Sequence, residues 1–213
     1  MAVRRTGLYP DGRDLDRRVW QATFDPRTIA STAAAGDGLL LMRHSPATRD
    51  PGAFRAEQAD RARQYLVACS ATGHRPRIAL SHAVFPAPDR RTAIAELTEG
   101  LDRWEAFKAT GGGDLRDRLA AENVTYGHPE EIVAELLSNV AVGYADELLL
   151  GFQPAVLPHE QALRKVELIA ETILPALAAS EPDRLADQHD GAPFGQTLAL
   201  QDEDLADERR LAH

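Results

Sequence analysis

The sequence predicts an α/β protein built on a parallel sheet of about four βα units. Three observations predict it. Short apolar, β-favouring runs alternate with amphipathic segments of helical period between residues 17 and 178. The stretch Arg18–Arg43 reads as strand, sharp turn, helix and strand within the length of one βαβ motif. Helix-start signals at Asp25-Pro26, Asp89 and His128-Pro129 stand where one period gives way to the other. Consecutive strands joined by right-handed crossovers leave two arrangements, a small open sheet or half of an eight-stranded barrel, and the pattern alone does not choose.

Val19–Phe24 is apolar and β-favouring, as a strand covered on both faces should be. Asp25 takes the N-cap place and Pro26 the first helical position, where a missing N–H costs nothing. Thr28–Ala35 makes a helix of small residues, Gly36 closes it, and Gly38–Met42 begins a second buried strand. After a loop at His44–Gly52, Ala59, Ala62, Tyr65, Leu66 and Cys69 mark one face of a helix that starts near Phe54. Arg77–Phe85 is the third strand. Asp89 then caps a long helix in which Ile94, Leu97, Leu101, Trp104 and Phe107/Lys108 recur at helical spacing. Gly111-Gly112-Gly113 has no strand before it and no Lys-Ser/Thr after it, so it reads as a connection rather than a phosphate loop. Leu115–Ala121 is a short helix. Tyr126–Glu131 is a helix start, and Ile132, Val133, Leu136, Leu137 and Val140 form the stripe that follows. Ala145–Phe152 is the fourth strand, and the last helix buries Leu163, Val166, Ile169/Ala170, Ile173 and Leu177. Residues 1–16 read as a polar lead-in, 17–178 as the domain, and 179–213 as an acidic, disordered tail.

The chain of 213 residues carries a formal net charge of −9, which argues against a general nucleic-acid or anionic-membrane binder. No run approaches a membrane span, and Met1–Arg5 lacks the apolar segment of a secretory signal. One cysteine, Cys69, excludes an internal disulfide framework and reads as core. His44, His74, His128 and His159 lack metal-ligand spacing, so no metal is expected. The carboxylate pairs Glu130/Glu131 and Asp146/Glu147 suit a helix dipole and a strand rim, not a glycosidase couple. A cytoplasmic protein is the expectation. The corner after the first strand is the one place where the pattern suggests a ligand. A helix N-terminus just past a strand presents free N–H groups and positive dipole to a phosphate. The Asp25 carboxylate competes for those groups, and an ordinary αβ connection is the other reading.

Several runs resemble a known family. Tyr126-Gly127-His128-Pro129-Glu130-Glu131-Ile132-Val133, Ala145–Gln153, Pro158–Leu163, Glu167-Leu168-Ile169-Ala170 and Ile173-Leu174-Pro175-Ala176-Leu177 are similar to the C-terminal part of bacterial luciferase-like monooxygenases. Val19-Trp20-Gln21-Ala22-Thr23-Phe24 and Ala33–Arg43 look like that family's fifth strand, helix and sixth strand, nearest to its FMN-dependent branch. The resemblance covers roughly residues 17–178 and implies the C-terminal half of a TIM-type (β/α)₈ barrel. No counterpart of the first four strands precedes residue 17, so a truncated or split enzyme, or a half-barrel that pairs with itself, is implied.

By that resemblance the protein is a flavin-dependent monooxygenase using O₂ and reduced FMN, supplied by a flavin reductase, on a small organic substrate, with a deazaflavin not excluded. The FMN phosphate is implied at Gln21, Ala22, Thr23 and Phe24, with Arg27 and Thr28 in the following helix, and Arg43 near the flavin ring. Thr23 and Phe24 replace an acidic and a hydroxyl residue of the better-known pattern, so the backbone contact is the one that carries over. Ser81, His82 and Gln153 lie at or past strand ends as weaker candidates, and His82 reads as packing. No catalytic residue is named. Four strands leave two open edges and cannot wall in a dry pocket, so the isolated chain is expected to be inactive or weakly active without a complement. That complement is a homo-oligomer or an N-terminal half-barrel chain. The other function class is a non-catalytic half-barrel that serves assembly or dimerisation.

Overall fold

Capping accounts for most of the helix boundaries. In the computed structural model, which describes residues 18–44, 48, 50–108 and 114–180, strand β1 (Trp20–Ala22) runs into helix α1 (Pro26–Ala35). The Asp25 carboxylate accepts from the Thr28 N–H at 2.8 Å, and Gly36 ends the helix. Strand β2 (Gly38–Leu41) leads to α2 (Pro51–Thr72), whose N-cap Asp50 accepts from the Ala53 N–H at 2.7 Å. Strand β3 (Ile78–Pro86) is followed by α3 (Arg90–Lys108), where Asp89 accepts from both the N–H and the hydroxyl of Thr92. Then come α4 (Leu115–Ala121), β4 (Val124–Gly127), α5 (Pro129–Ser138) and the single turn α6 (Val140–Gly143). Strand β5 (Glu147–Gly151), α7 (His159–Leu168) and a wide π turn (Ile169–Ile173) complete the first of two compact units, Met1–Ile173. The second unit, Leu174–His213, contains α8 (Leu174–Ala179).

All strand pairings in the five-stranded sheet are parallel. Leu80 pairs with both Leu41 and Leu148, and Ala83 with both Val124 and Gly151. Strands β2 and β4 therefore lie end to end along one edge of β3, and β5 lies along the other. Side by side the order is β1-β2-β3-β5, with β4 extending the C-terminal end of β3. Register aligns Leu41, Leu80 and Leu148 in one row, and Ala22, Leu40, Ala79 and Glu147 in a row on the opposite face. Helices α1 and α2 cover the first face, where Ile29, Leu39, Phe54, Tyr65, Cys69 and Ile78 form a core. A second core gathers Phe85, Leu97, Leu101, Leu119 and Ala155 at the far end of β3.

The structure corrects several expectations. Strand β1 is not covered on both faces: Gln21 and Ala22 are exposed, because β1 is an edge strand paired only with β2 among the described residues. The fifth strand, Val124–Gly127, stands where the sequence reads a helix start, since the helix begins only at Pro129. Its last residue, Gly127, has φ +134°, a conformation that favours glycine. Ile94, Val140, Leu163 and Val166 are exposed although their spacing marks them as core. In the last case the buried line is Lys165, Ile169 and Ile173, each four residues apart, and the wide turn keeps that line in phase. Cys69 is core, as expected. The Phe107 and Lys108 side chains, the Gly111–Gly113 run, the lead-in and the residues from Glu181 onward lie outside the described residues.

Candidate functional site

The corner between β1 and α1 is assembled from its own short-range hydrogen bonds. The Thr23 hydroxyl accepts from the Asp25 N–H at 3.0 Å, which turns the chain out of the strand. Asp25 Oδ2 then accepts from the Thr28 N–H and the Thr28 hydroxyl, both at 2.8 Å. Those two bonds, the hydroxyl's first, hold the Asp25 carboxyl below its ordinary range. Thr23 is buried, and Phe24 is buried against Phe54 with ring centroids 5.8 Å apart. Gln21, Ala22, Arg27 and Thr28 are exposed, and the Gln21 amide donates to Asp37 at 3.1 Å. The corner thus presents the Arg27 guanidinium outward past the C-terminal end of β1, while the Gln21 amide is bonded to Asp37 and the Thr28 hydroxyl to Asp25. It fits an anion through Arg27 and opposes one through Asp25, which already occupies both the N–H and the hydroxyl of Thr28.

Arg43 lies just past β2, at the same end of the sheet. Its Nη1 donates to Glu122 Oε2 at 2.8 Å and to the Glu122 carbonyl at 3.4 Å, so this guanidinium ties β2 to the start of β4. His82 is 1% exposed on the helix-covered face, with Nε2 2.9 Å from the Thr125 hydroxyl, and it packs as expected. Burial, and after it the nearby positive charge of Arg55, pushes its pKa down to about 4 against the opposing pull of Glu135. Ser81 is half-buried on the other face beside Leu149, and Gln153 is exposed beyond β5. Among the described residues no group of His, Cys, Asp or Glu side chains comes together to hold a metal ion. No helix among them is long and apolar enough to cross a membrane.

A second feature escapes sequence reasoning. A cavity of about 380 Å³ opens beyond the C-terminal end of β3, between α3 and α7. At its floor Lys165 is buried, and its Nζ donates to the Pro86 carbonyl at 2.8 Å and to Glu96 Oε2 at 2.6 Å. The Phe85 ring centroid lies 3.8 Å from the same nitrogen. Burial draws the ammonium pKa down, and the bond to Glu96 holds it up. The only signal in the sequence is the four-residue spacing of Lys165, Ile169 and Ile173, which a lysine disguises.

Comparison with known proteins gives the fold a context. Neither a family model nor a curated protein matches the sequence. Among solved structures, monooxygenase RslO1 from Streptomyces bottropensis matches with a TM-score of 0.57 and 24% identity, over 73% of this chain and 47% of that one. The oxygenating constituent of 3,6-diketocamphane monooxygenase from Pseudomonas putida, a type II Baeyer–Villiger enzyme solved with FMN, matches with a TM-score of 0.53 and 16% identity. That match covers 75% of this chain and 48% of the enzyme. The chain shares the parallel α/β fold of the matched part of these two monooxygenases. It spans about half the length of these two solved structures.

Proposed function

We propose that this chain forms the C-terminal half of a flavin-dependent oxidoreductase barrel, of the luciferase-like monooxygenase kind, with the β1–α1 corner as the seat of the cofactor's phosphate. The observation that carries the proposal is the joint position of Gln21, Arg27, Thr28 and Arg43 at the C-terminal ends of β1 and β2. Ligands of parallel α/β sheets and barrels sit at that end. The likeness to the two monooxygenases supports the choice of cofactor class, and the FMN in the Pseudomonas putida enzyme supports FMN as its first member. A deazaflavin carrying a phosphate makes the same demand on the corner.

The bound flavin supplies the redox chemistry with O₂ on a small organic substrate. The protein's part is binding, orientation and shielding. Arg27 offers its guanidinium to phosphate oxygens, and the Thr28 hydroxyl and N–H turn to them only as the phosphate displaces the Asp25 carboxylate. Thr23 and Phe24 act beneath the surface, fixing the turn and anchoring it on Phe54. Arg43, held by Glu122, places a fixed positive charge near the ring end. Leu40 and Leu149 on the open sheet face supply apolar wall for the reacting centre. A reduced, cytoplasmic setting suits the buried free Cys69.

The test is FMN titration followed by flavin fluorescence. Asp25→Ser keeps a hydroxyl cap and removes the competing charge, so it should tighten binding by about 2–5-fold, and Arg27→Ala should weaken it by a similar factor. If neither the native protein nor the Asp25→Ser variant binds FMN, the reading fails.

A further inference from the structure

We propose that the cleft between α2 and the α5–α6 junction is a binding site for a small aliphatic monocarboxylate, separate from the cofactor corner. The cleft has a volume of about 290 Å³, and none of its lining residues belongs to the corner. Arg55, Ala59 and Arg63 line it from α2, and Ser138, Asn139 and Val140 from the end of α5 and the start of α6. Helices α2 and α6 both contribute to the core around Leu39 and Ile78, so the cleft opens on the helix side of the sheet. What marks it as a site is a pair of nitrogen donors with nothing to donate to. Asn139 is 3% exposed, and its Oδ1 accepts from the Ala141 N–H at 3.1 Å. That bond fixes which end of the amide is which, because a flipped amide would set two donors against each other. Its Nδ2 is buried and has no hydrogen-bond partner among the described atoms. Arg55 uses a terminal nitrogen on the Glu135 carboxylate, yet its Nε is likewise buried and unpartnered. Buried donors are ordinarily satisfied, and two such residues on the wall of one cleft point to an acceptor that belongs there.

The chemistry of that acceptor follows from its surroundings. Two donor nitrogens on separate elements suit the two oxygens of one carboxylate. Charge sets the limit. Arg55 and Arg63 are matched by Glu135 and Asp60, with Arg63 Nη1 2.5 Å from Asp60 Oδ1. A monoanion therefore meets donors without a repulsive net charge, whereas a phosphate dianion brings a second charge that nothing offsets. Much of the remaining wall is apolar. Ala56 and Ala59 line it from α2, and Val140, 58% exposed, from α6, which gives an alkyl chain surface to cover. The volume stands at the small end of ligand clefts, so the chain it takes is short.

The test is a titration of the full chain with sodium butyrate, followed through the side-chain N–H resonances of Asn139 and Arg55 by NMR. It needs no flavin, so its outcome is separate from that of the FMN titration. Both resonances should shift together and saturate, with a dissociation constant on the order of 1 mM. Butyramide, which has the shape without the charge, should bind roughly tenfold more weakly, and inorganic phosphate should not saturate the site. Asn139→Asp keeps an oxygen for the Ala141 N–H and replaces the donor with a second oxygen. It should weaken butyrate by roughly tenfold or more while the thermal midpoint holds. Val140→Ser, a change at an exposed position, should weaken butyrate about threefold and leave acetate unchanged. The proposal is overturned if butyrate at tens of millimolar shifts neither resonance, or if butyramide or phosphate binds as tightly. It is overturned equally by an Asn139→Asp or a Val140→Ser protein that binds butyrate like the native one.

Discussion

His82 illustrates how a buried polar residue makes stability depend on pH. Its Nδ1 has no hydrogen-bond partner among the described atoms, and the ring is held neutral, with a pKa lowered from 6.5 to about 4. Between those values the unfolded chain binds a proton that the folded one refuses, so stability is full above pH 6.5 and falls as pH drops towards 4. The loss should be on the order of 2–3 kcal/mol in urea denaturation series, and His82→Gln should flatten the pH 5–7 part of that curve. Lys165 is the converse case, a charge kept in the interior by three partners. Lys165→Ala leaves Glu96 and the Pro86 carbonyl without their donor and should cost about 2–3 kcal/mol by urea unfolding. Replacing both partners, Lys165→Met with Glu96→Gln, should cost less than half as much, because no charge is then stranded.

At the scale of elements, local chemistry placed the helix starts and tertiary packing placed the strand limits. Asp25-Pro26, Asp50-Pro51 and Asp89 start helices because each carboxylate reaches the N–H three residues on, a bond that needs nothing beyond the local chain. Strand β1 shortens to Trp20–Ala22 because one edge neighbour pairs with only that much of it. β4 exists because β3 projects beyond β2 and leaves backbone groups for Val124–Gly127 to pair with. No feature of residues 124–127 announces that partner. The contact between β1 and β2 can be tested directly. A methyl group added at Gly38 would lie 2.7 Å from Trp20 Cδ2. Gly38→Ala should therefore destabilise the protein by about 1–3 kcal/mol, and most of that cost should vanish in a Trp20→Ala background when the double-mutant cycle is read by thermal melts.

For the whole molecule, β1 pairs only with β2 and β5 only with β3 among the described residues, and Leu149, Leu163 and Val166 are exposed. The candidate corner was legible as a candidate from Asp25-Pro26 and the strand before it, but its internal economy was not. That Asp25 occupies the Thr28 N–H, that Arg43 is spent on Glu122 and that Phe24 turns inward all depend on which neighbours the fold supplies.

The sequence by itself determined the parallel alternation of strands and helices, the caps at Asp25 and Asp89 and the burial of Cys69, because period and capping are written within one turn of the chain. Tertiary structure alone decided which apolar stripe of the last helix faces inward, that a lysine sits in it, and that β3 takes neighbours along both edges. The reason is physical: burial and pairing are set by residues distant in sequence, and a side chain's own type fixes only what it costs to bury, not what will be there to cover it.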